Sequence, residues 1–80
     1  MKKEEQVRVS EKEVVLHDGK VVKMRRPKAR DLIAASEASN NAAKQEAVII
    51  ANLCMMTVDE VEDMDADDFL KLTDERNSFL

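Results

Sequence analysis

The chain has 80 residues and a mass of 9.1 kDa, enough for one small domain that removes only about 60–65% of its unfolded surface from water. It is 44% apolar and 38% charged, with one Gly, one Pro, two Phe and neither Trp nor Tyr. No run of 18 apolar residues occurs, which excludes a membrane-spanning helix, and Met1-Lys2-Lys3-Glu4-Glu5 leads into no apolar stretch, so no secretory leader is expected. Cys54 is alone, which excludes an internal disulfide and fits a reducing cytoplasm. One cysteine and His17 cannot close a four-ligand zinc site.

The net charge of −4 conceals two blocks. Lys20, Lys23, Arg25, Arg26, Lys28 and Arg30 form a basic segment without an acid, whereas nine acids from Asp59 onward face only Lys71 and Arg76. A basic segment invites a nucleic-acid reading. The acidic balance and the lack of any aromatic to stack on bases count against it.

In chain order, residues 1–6 are expected to be disordered and residues 7–26 to form a β-hairpin. Val7-Arg8-Val9 and Val14-Val15-Leu16 have extended, β-branched character, and Val21-Val22-Lys23-Met24-Arg25 follows Asp18-Gly19. An Asp-Gly pair between two such runs predicts a type I′ turn. With a two-residue loop, Val15 falls opposite Val22, Glu13 opposite Met24, and Lys12 opposite Arg25, a poor like-charge pair. Two strands alone are marginal in water, so the hairpin must pack on helices or recruit a partner strand.

Pro27 ends the second strand and suits the opening of a helix. Residues 28–38 read as that helix, with Ala29, Leu32, Ile33 and Ala35 or Ser36 on its apolar side. Ser39-Asn40-Asn41 favours a break, although neither Gly nor Pro forbids one continuous helix. From residue 42 to residue 55 or 56 runs a helix apolar nearly all round, whose only polar residue after Ala47 is Asn52. Such a helix must be buried nearly all round, and eighty residues offer scarcely enough protein to do it. Thr57-Val58-Asp59-Glu60 is a capping box that opens a short helix. A last helix runs from about residue 66 to 78, with Phe69, Leu72 and Phe79 as core anchors. The expected fold is α+β: an N-terminal hairpin, then three to four short helices over residues 28–79, packed as one small domain.

Chemistry is thinly represented. Asp63, Asp65, Asp67 and Asp68 lack the glycine and terminal glutamate of a calcium loop, so they read as helix capping. Cys54, on an apolar stripe, reads as an inert buried thiol. His17 reads as a solvated turn residue with no acid–base partner in view, and a single Gly rules out a phosphate-cradling loop. No enzyme activity and no cofactor is expected. Met24, Met55, Met56 and Met64 are core filler, or some of them line a deformable binding face.

The order of these pieces resembles the small tail assembly chaperones of contractile-tailed, Mu-like bacteriophages and their prophage relatives. The likeness is carried by Val14-Val15-Leu16-His17-Asp18-Gly19-Lys20-Val21-Val22-Lys23-Met24-Arg25-Arg26-Pro27-Lys28-Ala29-Arg30-Asp31. Ile49-Ile50-Ala51-Asn52-Leu53-Cys54-Met55-Met56-Thr57-Val58-Asp59-Glu60-Val61 and Met64-Asp65-Ala66-Asp67-Asp68-Phe69 continue it. Where relatives tend to have glycine after the central helix, this chain has Met55-Met56. The resemblance implies a non-enzymatic protein of the bacterial cytoplasm that binds the tape-measure protein, keeps it soluble during tail assembly, and is absent from the finished virion. Together with the apolar central helix, it assigns Ile49, Ile50, Leu53, Met55 and Met56 to a face for a helical client or another copy in a homo-oligomer. Arg25, Arg26, Lys28 and Arg30 would meet acidic stretches of the client. The competing readings are a structural tail or adaptor subunit and a nucleic-acid-binding regulator using residues 20–30.

Overall fold

Val14 and Leu16 on one side of Gly19, and Val22 and Met24 on the other, recur at every second position, so one pleat face of the hairpin is apolar and must turn onto a helix. The computed structural model describes residues 10–79. Strands β1 (Glu11–Val15) and β2 (Val21–Arg25) form a two-stranded antiparallel sheet. They are followed by α1 (Ala29–Ala38), α2 (Ala42–Cys54), α3 (Val58–Asp63) and α4 (Ala66–Asn77). The expected α+β architecture is present, and residues 28–55 form two helices. The expected disorder of residues 1–6 and the strand start at Val7-Arg8-Val9 lie outside the described residues.

The hairpin register differs from the expected one by a residue. Val15 faces Val21, Val14 faces Val22, Glu13 faces Lys23, Lys12 faces Met24 and Glu11 faces Arg25. The loop has three residues, with Gly19 at φ 88° and its N–H donating to the Leu16 carbonyl at 2.9 Å. A three-residue loop with glycine in the left-handed region is the next commonest hairpin turn after the two-residue kind. It removes the repulsive Lys12–Arg25 pair and sets opposite charges across the ladder at Glu13–Lys23 and Glu11–Arg25. Val14, Leu16, Val22 and Met24 face inward and are buried.

Asp31 fixes the start of α1. Its carboxylate accepts the Lys28 N–H at 2.8 Å and both Arg25 guanidinium nitrogens at 2.9 and 2.7 Å. That anchor turns the helix over relative to expectation: Asp31 and Ala35 are buried, whereas Leu32 and Ile33 are 51% and 56% exposed. Asn41 then caps α2 by accepting the Lys44 N–H at 3.0 Å, as short polar side chains do at helix starts.

α2 is the centre of the fold, neighbouring α1, α3, α4 and β2. Ala47, Ile49, Ile50, Ala51, Leu53 and Cys54 are buried and Asn52 points to solvent. The small domain therefore does cover its apolar helix. Met24, Ile50, Leu53, Val61 and Leu72 are fully buried, and side chains of this size each contribute about 1.5–3 kcal/mol. α4 is tied on by Arg76, which donates to Glu46 at 2.6 and 2.5 Å. Lys12 reaches the same C-terminal end of α4, donating to Ser78 Oγ with its Nζ 4.5 Å above the Phe79 ring. Phe79 and Leu72 are the expected anchors; Phe69 is only partly buried.

Candidate functional site

α2 ends where no glycine is available. Met55 adopts φ 56°, ψ 46° and its N–H reaches the Ala51 carbonyl, the helix-ending geometry that usually selects glycine. An L-residue there is strained by roughly 1–2 kcal/mol. Met55 is also 93% exposed. A strained backbone and a large apolar side chain in water coincide at one residue, a pairing that points to use of that side chain.

Met55 stands over a groove of about 490 Å³ between β2 and the C-terminal end of α2. Val21, Lys23 and Arg25 form one wall; Leu53, Met55 and Met56 form the other. The sequence-derived site residues therefore divide. Arg25, Leu53, Met55 and Met56 converge on this groove. Ile49 and Ile50 do not form a surface: they are 6% and 0% exposed, because the stripe expected to face a client belongs to the hydrophobic core. Leu53, 1% exposed, is floor and core at once. Arg25 is held by Asp31, and the Arg26 guanidinium lies 5.9 Å from the Phe79 ring. Lys28 and Arg30 are exposed and outside the groove. Val21, half-exposed, was not among the expected site residues.

A larger groove of about 690 Å³ lies between α2, α3 and α4, lined in part by Ala43, Ala47, Val61, Met64 and Phe69. The Lys44–Glu62 ion pair borders it, and it contains neither strained backbone nor any residue of the basic segment.

Below the hairpin loop, His17 is not a free turn residue. Its Nδ1 is 2.6 Å from Asp68 Oδ2, its Nε2 is 2.9 Å from Asp65 Oδ2, and its N–H donates to Asp68 Oδ1 at 3.0 Å. Asp65 is the N-cap residue of α4 and Asp67 and Asp68 lie in its first turn, as expected, but the Asp65 side chain makes no capping hydrogen bond and, with Asp68, holds the hairpin through His17. The three ligand atoms lie within 4.8 Å of one another. Both ring nitrogens, however, are engaged by different carboxylates, the arrangement of an imidazolium clamp and not of a cation site. The hydrogen bond to Asp68 and then its charge raise the His17 pKa above the ordinary histidine value; Asp65 and Asp18 add to this and burial opposes it. On Asp68, burial is the largest influence and acts upward. The His17 amide and ring, with the charges of His17 and Lys71, outweigh it and hold the carboxyl below its usual value.

The sign of the pH effect follows. A raised histidine pKa stabilises fully below about 6.5, and that contribution fades as pH rises through the folded-state value. The lowered Asp68 value contributes above about 3.8 and fades on acidification. His17→Gln should therefore lower Tm most near pH 5.5 and least above roughly pH 8, a range set by the histidine titration. Thermal melts of both proteins across that range test it; a constant difference would mean that folding leaves the histidine pKa unshifted.

Burial pushes the Cys54 thiol up to about 11, so it is protonated at neutral pH and no nucleophile. Among the described residues no helix is long and apolar enough to cross a membrane. The groove combines an apolar shelf with a strand that carries Lys23 and Arg25, and Met55 stands between them. No curated protein and no solved structure matches the chain. A family model described as "Phage tail assembly chaperone proteins, E, or 41 or 14" matches residues 8–80, nearly the whole sequence. The chain therefore belongs to the phage tail assembly chaperones.

Proposed function

We infer that this chaperone is a non-enzymatic protein that binds the tape-measure protein of its phage in the host cytoplasm and keeps it soluble until the tail tube closes around it. The observation that supports this reading is Met55, an apolar side chain held in water by a strained backbone above a groove. Such a residue serves a client that is itself apolar and would otherwise aggregate. Methionine suits the task because its unbranched thioether adapts to successive sequences along a long client. Met56 and Val21 extend the contact, and the basic side chains from Lys20 to Arg30 attract acidic stretches of the client. The acids from Asp59 onward keep the complex in solution.

The test is co-production with the tape-measure protein of the same phage, followed by sedimentation and by mass spectrometry of purified particles. The tape-measure protein should stay in the supernatant only when the chaperone is present, and the chaperone should be missing from particles. A tape-measure protein that pellets regardless would sink the proposal, and a chaperone recovered in particles would make it an adaptor subunit.

A further inference from the structure

The groove beside β2 has an unusual wall. The Arg26 N–H donates to Ser10 and the Leu16 N–H to Lys20, at 2.8 Å each. With the observed register, these bonds place Val14–Val22 and Lys12–Met24 as the hydrogen-bonded pairs of the ladder. Val21, Lys23 and Arg25 therefore turn their main-chain N–H and C=O groups away from β1 and toward the groove. β2 has no second neighbour among the described residues. The opposite edge is partly occupied, because Lys71 Nζ donates to the Val15 carbonyl at 2.6 Å.

A helix laid on this wall would cover the edge without pairing it, since a helix consumes its own backbone groups. Each polar group so buried would remain unsatisfied. A strand would pair every one of them. We propose that the groove takes an extended segment of the client, which adds to the β2 edge as a third strand with its inward side chains on Leu53, Met55 and Met56. The side chains on its other face run beside Val21, Lys23 and Arg25. Lys23, in the middle of the edge, makes no ion pair among the described residues and favours an acid beside it, whereas Lys20 is faced by Glu60, whose carboxyl it helps to hold down, and Glu11 also lines the groove. The segment is thus alternately apolar and polar, with an acid beside Lys23. It completes a sheet that is marginal with two strands and gives Met55 the cover that its exposure lacks.

This assignment rests on the chaperone reading, and one experiment separates the two. Amide hydrogen exchange is followed in the isotope-labelled chain, alone and with overlapping synthetic peptides that tile the tape-measure protein. Strand addition should slow exchange at the amides of Val21, Lys23 and Arg25 by at least about tenfold in the presence of a binding peptide. Binding without that protection would overturn strand addition and leave the chaperone reading intact. Failure of the peptides and of the full tape-measure protein to bind would remove both. Protection that grows with chaperone concentration alone would make the occupant a second copy and overturn the client assignment.

Lys23→Pro supplies an independent check. It deletes an outward N–H that the β1 ladder does not use, a position at which sheet edges tolerate proline. It should weaken binding at least about tenfold, whereas Lys23→Ala, which keeps the N–H, should weaken it by about threefold or less. Equal losses in the two variants would overturn the pairing. Should Lys23→Pro not fold, protection in the unaltered chain decides.

Discussion

Replacing Asp31 with alanine is expected to lower the unfolding free energy by about 3 kcal/mol, a loss typical of a broken buried ion pair. The carboxylate is 2% exposed and joins three parts of the chain: Arg25 at the end of β2, the Lys28 amide that opens α1, and the helix itself. Its removal leaves the partly buried Arg25 guanidinium without its carboxylate and a helix start without an acceptor. For a chain of this size, about 3 kcal/mol corresponds to a fall in Tm of roughly 10–25 °C, and the whole stability is only on the order of 4–12 kcal/mol. Asp31→Asn should fall between the two, because it keeps an acceptor for Lys28 and loses the charge. The Arg25 hydrogen bonds are the chief reason that the Asp31 pKa lies below the ordinary aspartate value; burial opposes them and the Lys28 amide supports them. The contribution is therefore present above about pH 3.8 and disappears as pH falls through the lowered value. Urea melts at neutral and acid pH would show the wild type and Asp31→Ala converging in acid. Parallel curves would mean that the pair contributes through shape alone.

The second large effect separates core from surface within three residues. Leu53→Asp places a charge where the side chain is 1% exposed, and the domain should be unfolded at 25 °C, since an unpaired buried carboxylate outweighs a stability of this size. Ile50→Ala, at a fully buried site, should cost about 2–5 kcal/mol through the cavity that it leaves. Met55→Asp should melt within about 0.5 kcal/mol of the wild type, as exposed substitutions do, and yet fail to hold the tape-measure protein in solution. Circular dichroism and the sedimentation assay read the two halves. A folded Leu53→Asp would mean that the core lies elsewhere, and a fully active Met55→Asp would take Met55 out of the binding surface.

These residues also show how far the sequence could be read. The order hairpin, helical stretch, short helix, helix was legible because the valine-rich runs around Asp18-Gly19, Pro27 and the Thr57–Glu60 box are local signals, and Ser39-Asn40-Asn41 favoured, without requiring, the break that makes the helical stretch two helices. The hairpin register was not, because Asp-Gly fits both a two-residue and a three-residue loop, and one step exchanges the faces of every strand residue. Leu32 and Ile33 looked like the inner side of α1 on apolar spacing alone. The Asp31–Arg25 bond outweighs that pattern, and it joins two elements that no helical or strand period relates. His17 looked solitary since its partner Asp68 lies 51 residues further along the chain. The apolar central stripe was read as a client surface on the reasoning that a small domain cannot bury it. α1, α3, α4 and β2 together supply the missing cover, and the exposed large apolar remainder of α2 shrinks to the residue that ends the helix.

The same residue gives the protein a chemical asymmetry. Among the described residues Met24 is fully buried, Met56 and Met64 are half-buried, and only Met55 stands in water. Thioether oxidation follows exposure, and the sulfoxide is polar and no longer packs like a hydrocarbon. Mild peroxide should therefore convert Met55 well before the other described methionines, leaving the fold intact while marking the rim of the groove with a single added oxygen.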